Sequence, residues 1–341
     1  MPRTAGVTLL ALLAAAPLAA QDGSTWSADR PDGVARVGLE GARTLPRGAI
    51  ELSTGWTVRR AEGTWFDGDT IAESTTLQLY DVAPRKRSER RHWLRAEFGL
   101  TNRLTIGASG GYVFLTRDQA TDKLPALADL VLYRTTAAAL DDLTADATFN
   151  VLMSGSYRLD VNVGLSIPVG ANTTHDRTPF GDELLPYDMR PGSGSWGLSG
   201  RLSFDNQSDR TSFGGRVGIL AYVTEAPEGY TQGNEYEARA WIAHDPWELV
   251  SLTLGGRLEQ WGAIDGADHR LDVAHDPYTD PLFLSGRRVS LPLGVSLLGP
   301  EGTRAEGHSL SIEAAYALRH DYEGLQLGVR WTVDVRYAVL F

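Results

Sequence analysis

Residues 325–341, LQLGVRWTVDVRYAVLF, alternate between two kinds of side chain. Leu325, Leu327, Val329, Trp331, Val333, Val335, Tyr337, Val339 and Phe341 fall on one face, and Gln326, Arg330, Thr332, Asp334 and Arg336 on the other. A period of two is the mark of a strand with one apolar face. The same pattern recurs in YRLDVNVGLSIPVG (157–170) and SGRRVSLPLGVSLL (285–298), and along the whole chain it predicts twelve strands. These are 49–60, 91–100, 104–115, 144–155, 157–169, 194–205, 210–223, 234–244, 248–261, 286–298, 308–319 and 325–341. Most exceed the five or six residues usual in globular sheets and match the roughly 9–11 residues that cross a bilayer at a tilt.

The connections between these strands alternate long and short, breaking the rule only at the last pair. Short turns such as LTNRL (100–104), FDNQSDR (204–210) and HDPWE (244–248) carry the Asn, Asp and Pro of tight turns. Short turns on one side and long loops on the other are the layout of an outer-membrane barrel, with the short turns and, for an even strand number, both termini in the periplasm. The expected fold is therefore all-β: a transmembrane antiparallel β-barrel of about 12 strands in an up-and-down meander. A soluble β-sandwich fits less well, because the polar faces mix Gly, Ser and Thr with charges, as a wet lumen does. The apolar faces also carry Trp56, Phe98, Tyr112, Phe204, Tyr337 and Phe341 near strand ends, as an aromatic girdle would. On this reading Trp331, Tyr337 and Phe341 form the C-terminal signal that barrel-assembly machinery recognises.

Composition narrows the compartment. The first residues, MPRTAGVTLLALLAAAPLAAQ, have a cationic start, a short apolar core and small residues before Gln21, which predicts a secretory signal peptide over 1–20. Residues 21–44 then form an N-terminal periplasmic segment or plug, and 45–341 the barrel, placing the protein in the outer membrane of a diderm bacterium. The 341 residues include no Cys, so there is neither disulfide nor lipoprotein anchor, and the net charge of −11 excludes a nucleic-acid surface.

Four stretches in order along the chain carry a family resemblance. They are SADRPDGVARVGLEGARTLPRGAIELSTGW (27–56), LRAEFGLTNRLTIGASGGYVF (94–114), VGLSIPVG with GSGSWGLSGRLSF (163–170, 192–204), and GHSLSIEAAYALRHDYEGLQLGVRWTVDVRYAVLF (307–341). In these the chain resembles the MetA-pathway of phenol degradation family of outer-membrane proteins. The resemblance implies a twelve-stranded barrel passing small molecules, aromatic ones among them, and supplies no catalytic or ligand residues.

Alternation assigns the lumen. Glu51, Arg59, Arg95, Glu97, Arg158, Asp160, Arg201, Arg216, Glu237, Arg239, Arg257, Glu259, Arg288, Glu313, Arg330, Asp334 and Arg336 are expected to point inward. Opposite charges two apart, as in Arg95/Glu97, Arg158/Asp160, Glu237/Arg239, Arg257/Glu259 and Asp334/Arg336, share a face and are expected to pair. Such charges either line a selective pore for small solutes, favouring anionic or aromatic ones, or fill the interior as an ion-pair lattice. The Ala-rich segment 124–143 is expected to be a short helix constricting the mouth, a helix capping the rim or an apolar patch there. Arg85, Lys86, Arg87, Arg90 and Arg91 form a cationic run suited to lipopolysaccharide phosphates.

An enzyme is not expected. No His has Ser two residues on, and in the dipeptides His175-Asp176, His275-Asp276 and His320-Asp321 neighbouring strand residues point to opposite faces. No cofactor or metal is implied, although Asp272, Asp276 and Asp280 crowd one acidic loop. The function expected is an outer-membrane channel for passive uptake of small molecules. The alternatives are a largely closed barrel with a structural or lipopolysaccharide-contacting role and, third, a hydrolase at the rim.

Overall fold

Each alternating segment forms one strand of a closed sheet. The computed structural model describes residues 26–341 apart from 28, 35–37, 40 and 125–128; the expected signal peptide, 1–20, lies outside the described residues. The strands are β1 (Ile50–Phe66), β2 (Ala83–Thr101), β3 (Leu104–Thr121), β4 (Leu143–Ser154), β5 (Tyr157–Ile167), β6 (Gly197–Gln207), β7 (Thr211–Tyr222), β8 (Glu235–Trp247), β9 (Val250–Trp261), β10 (Gly286–Leu298), β11 (His308–Tyr322) and β12 (Gln326–Leu340). Each pairs antiparallel with its chain neighbour, and β12 returns to β1 with Glu51 opposite Leu340 and Val58 opposite Val333. Closure leaves no sheet edge in the lipid, the condition for a spanning sheet.

The burial pattern is inverted relative to a soluble protein. Leu94, Val217, Ile242, Leu293 and Leu318 are exposed on the outer face, while Arg95, Glu97, Arg158, Asp160 and Arg336 are buried on the inner one. Only lipid makes the outer face favourable, so the barrel crosses a membrane through this apolar belt. Trp56, Phe98, Tyr112, Tyr337 and Phe341 are exposed on that face, and Phe204 is half-buried between Tyr157 and Phe213.

Two departures from the alternation matter. First, 131–140 is a strand, Val131–Leu140, and neither a constricting nor a capping helix. It pairs residue by residue with Tyr112–Thr121 and prolongs the wall above the membrane. Thr135 and Ala137 face in while Leu132 and Leu140 face out, so the available partner strand overrides the helical bias of alanine. Second, β1 and β12 slip register where Arg60 and Ala61 face Trp331 and Val329, which makes Arg330 a bulge residue. Past the bulge the faces exchange: Leu327 and Val329, expected outside, are buried within, and Arg330, expected in the lumen, is exposed.

Candidate functional site

Described residues of the chain's own N-terminal segment lie against the lower part of the lumen. Arg158 on β5 donates from Nη2 to Thr44 Oγ1 at 2.8 Å and lies over the Trp26 ring at 4.5 Å. Arg216 on β7 donates to the Leu39 carbonyl at 3.0 Å, Thr148 to the Gly41 carbonyl at 3.1 Å, and the Leu45 N–H to Thr105 Oγ1 at 2.7 Å. Arg43 meets Glu51 at 2.9 Å, and Leu39 and Ala42 pack on the inward-facing Trp241. The segment is thus tied to six barrel strands. Gly41 sits at φ +66°, where side chains are strained, and a Cβ there would lie 2.6 Å from Asn162 Nδ2. Gly41→Val should therefore expel the segment without touching the barrel wall, read as new protease cleavage within 26–48 in the intact, heat-modifiable barrel.

Above this floor the inward charges form a lattice. Arg95 holds Asp146 through two hydrogen bonds of 2.7 and 2.8 Å and Glu97 through one of 3.0 Å. Arg158 pairs with Asp160 at 2.5 Å and Arg239 with Glu237 at 3.1 Å, as their spacing predicts. The other two expected pairs do not form within their strands. Arg257 reaches across to Glu313, Glu259 takes Arg288 at 2.8 Å, Arg336 takes Glu51, and Asp334 accepts from the Thr57 hydroxyl at 2.7 Å. Cross-strand neighbours lie about as near as same-strand ones, so spacing alone does not choose the partner. Arg201 donates to Asn162 at 3.0 Å and makes no direct ion pair among the described residues, although its charge acts on Asp146 and Glu235.

The expected lipopolysaccharide run is split by the strand it belongs to. Residues 83–93 lie within β2, so Arg87 and Arg91 face inward, to Glu89 and Asp188 and to Asp141 respectively. Arg85 and Lys86 are paired outside with Glu73 and Glu62, and Arg90 faces out with no ion-pair partner among the described residues. The five residues do not make one surface.

The roof is built by the long loops. Tyr187, Tyr230, Ile264, Tyr278 and Leu284 come from three different loops and cluster with Leu327 and Val329 of β12. Beneath and between them run ion pairs that the sequence pattern does not reveal. Arg190 meets Asp268 at 3.0 Å and stacks on Tyr187 at 4.9 Å, and Arg117 of β3, 1% exposed, holds both Asp188 (2.9 Å) and Asp276 and lies 5.6 Å from the Tyr278 ring. Burial pushes Asp268 up, but the hydrogen bonds from Arg270 and the charge of Arg190 outweigh it and bring it down to about 2. At Asp188 burial prevails over Arg117 and Arg87, and its carboxyl is held above the usual range.

His275 fastens two of these loops to a third. Its Nδ1 lies 3.3 Å from Asp81 and its Nε2 3.3 Å from Glu183, with the Phe180 ring edge-on at 4.9 Å. The hydrogen bond to Glu183 raises its pKa above 6.5 despite burial. A raised histidine contributes stability fully below pH 6.5 and loses it as pH rises through the folded value. As pH rises above about 6.5 the loops 168–196 and 262–285 should therefore become more open to hydrogen exchange, and His275→Gln should flatten that dependence.

Between floor and roof lies a cavity of about 630 Å³. Arg91, Trp93, Arg95, Arg201, Asp146 and Glu237 line its wall, with Trp261, Tyr187, Tyr278 and Leu327 toward the roof. It joins a charged wall to an aromatic cap. Asp146 was legible, since alternation over 144–155 puts it inward with Thr144 and Thr148; Arg117, Asp188, Arg190 and Asp268 were not, because their partners meet only when the loops pack.

The remaining His and Asp residues have local partners. His320 lies 2.8 Å from the Val329 carbonyl, and His175 Nδ1 is 3.9 Å from Asp182. Asp272, Asp276 and Asp280 each accept a backbone N–H, from Ala274, Tyr278 and Leu282. Among the described residues no group of three His, Asp, Glu or Cys side chains is placed to hold a metal ion.

No family model and no curated protein matches the chain, so the resemblance to the phenol-degradation family rests on its four stretches. Among solved structures, an outer membrane channel from Pseudomonas putida F1 superposes with a TM-score of 0.60 at 14% identity, over 88% of this chain and 98% of its own. A FadL homologue from Pseudomonas aeruginosa superposes at 0.43 with 11% identity, over 93% and 99%. The first of these shows a shared fold: the closed antiparallel barrel of outer-membrane proteins.

Proposed function

We propose that this protein is an outer-membrane channel for passive uptake of small molecules, held closed in the form described. The observation that carries this reading is the cavity itself, a chamber of about 630 Å³ inside a membrane-spanning barrel, narrowed by loops above and crossed by described residues of 26–45 below. A purely structural barrel has no need of a chamber. A protein of the same fold is described as an outer membrane channel, which agrees with the reading. In this account residues 1–20 are a cleaved signal peptide, 21–44 the plug and 45–341 the barrel, and Trp331, Tyr337 and Phe341 are offered to the assembly machinery. The chain is placed in the phenol-degradation transporter family on its four stretches.

The solute is small and anionic, with an apolar or aromatic part. Arginines slightly outnumber carboxylates in the cavity lining, Arg201 faces it without a direct ion pair, and aromatic rings form its cap. In a planar bilayer under a salt gradient, the barrel freed of its N-terminal segment should show an anion-selective reversal potential. Arg201→Glu should move that potential toward the cation side. Cation selectivity in the unsubstituted barrel would sink the solute assignment.

A further inference from the structure

The bulge that removes Arg330 from the lumen places it on the outer face beside two other unpaired arginines. Arg60 lies opposite Trp331, the residue next to Arg330, and Arg60 also lies opposite Ser88, two residues from Arg90. Directly opposed residues on one face are about 5 Å apart at Cβ and diagonal ones about 7–8 Å. Arg330, Arg60 and Arg90 therefore form a cluster across three adjacent strands, β12, β1 and β2. All three are exposed, and none has an ion-pair or hydrogen-bond partner among the described residues. The nearby carboxylates are already engaged: Glu62 with Lys86 at 3.1 Å, and Asp321 with Arg287 and, at 3.8 Å, Arg319. The local excess of positive charge is thus uncompensated.

The position is as informative as the charge. Trp56 stands on the membrane side of the cluster along β1, and Trp331 and Tyr316 stand beside it at the level of Arg60, all three exposed on the lipid-facing side. Such rings mark the interface where a bilayer's head groups begin. The cluster is on the long-loop end of the barrel, the external one, so it meets the outer leaflet. Guanidinium groups suit phosphate because they donate in bidentate pairs, and they do so most strongly where water is thinned by neighbouring apolar surface.

We propose that Arg60, Arg90 and Arg330 bind the phosphates of a phosphorylated outer-leaflet glycolipid whose acyl chains lie along Trp56, Trp331 and Tyr316. The site is independent of the solute pathway, which runs on the other face of the same strands. It differs from the run at 85–91, of which only Arg90 takes part.

The test is titration of the detergent-solubilised full-length barrel with diphosphoryl lipid A, fully dephosphorylated lipid A and inorganic phosphate, with binding followed by native mass spectrometry. Diphosphoryl lipid A should bind, and loss of its phosphates or the triple substitution R60Q/R90Q/R330Q should each weaken binding by about tenfold or more. The control R85Q/K86Q should bind as the unsubstituted protein does. Inorganic phosphate at millimolar concentration should neither bind nor compete; if it does both, the cluster reads free phosphate and the lipid assignment falls. Equal binding by the triple variant, or of the dephosphorylated lipid, overturns the proposal. Should the triple variant fail the heat-modifiability check for a folded barrel, R90Q alone decides: a loss of about threefold supports the site and no loss contradicts it.

Discussion

Deleting residues 26–44 should turn a closed barrel into one that admits small solutes, raising swelling rates of proteoliposomes by at least about tenfold over the full-length protein. The segment crosses the lumen at the level where Arg158, Arg216, Thr148 and Arg239 point inward, and several of these donors terminate on it and not on one another. Removing it returns their hydrogen bonds to water. A hydrated site costs those side chains little, so the strands should still close, with β1 and β12 in register from Glu51 onward. Arg158 keeps Asp160 as a partner after the deletion, whereas Glu51 loses Arg43 but keeps Arg336. Heat-modifiability on gels should confirm that the barrel survives. A shortened protein that swells vesicles no faster than the full-length one would remove the segment from any gating role.

The second large effect is expected at the roof. Arg117→Ala removes the cation that holds Asp188 and Asp276, two buried carboxylates on separate loops. Breaking a buried ion pair on one side strands the remaining charge, at a cost of about 3–5 kcal/mol. Here the protein has an escape that a soluble core lacks: the loops can lift and carry both carboxylates into water. The expected result is therefore loss of roof order with the barrel intact, seen as fast hydrogen exchange over 168–196 and 262–285 and unchanged protection in β1–β12. Arg117→Lys should give a weaker version, because an ammonium does not bridge two carboxylates through a planar fork. Unchanged exchange in the loops of Arg117→Ala would show that Tyr187, Tyr230 and Tyr278 hold the roof by packing alone.

The fold was legible because the lipid imposes a period of two on every strand. All twelve strands follow from that pattern, and the lumen charges follow from it wherever the register is regular. What escaped lies at three kinds of place. Bulges reverse the faces: the extra residue at Arg330 sends Val329 inward, and nothing in GVRWT (328–332) distinguishes that residue from its neighbours. Strand pairing overrides composition: LYRTTAAAL (132–140) reads as helical alone and becomes sheet because Tyr112–Thr121 extends beyond the membrane to receive it. Loop packing creates partners with no sequence relation: Arg117 finds Asp276 across 159 positions and Arg190 finds Asp268 across 78. The floor is intermediate, since a plug was one of two readings of 21–44 and the donors that receive it were already assigned to the lumen.

Single-channel current across a planar bilayer, recorded for the full-length protein beside the form lacking 26–44, tests the central claim most directly. A chamber sealed from below by the chain's own segment predicts a silent or briefly flickering full-length barrel and steady conductance in the shortened one. Silence in both would mean that the ion-pair lattice of β1–β12 itself fills the barrel, and equal steady currents in both would mean that the segment seals nothing; either result contradicts the account.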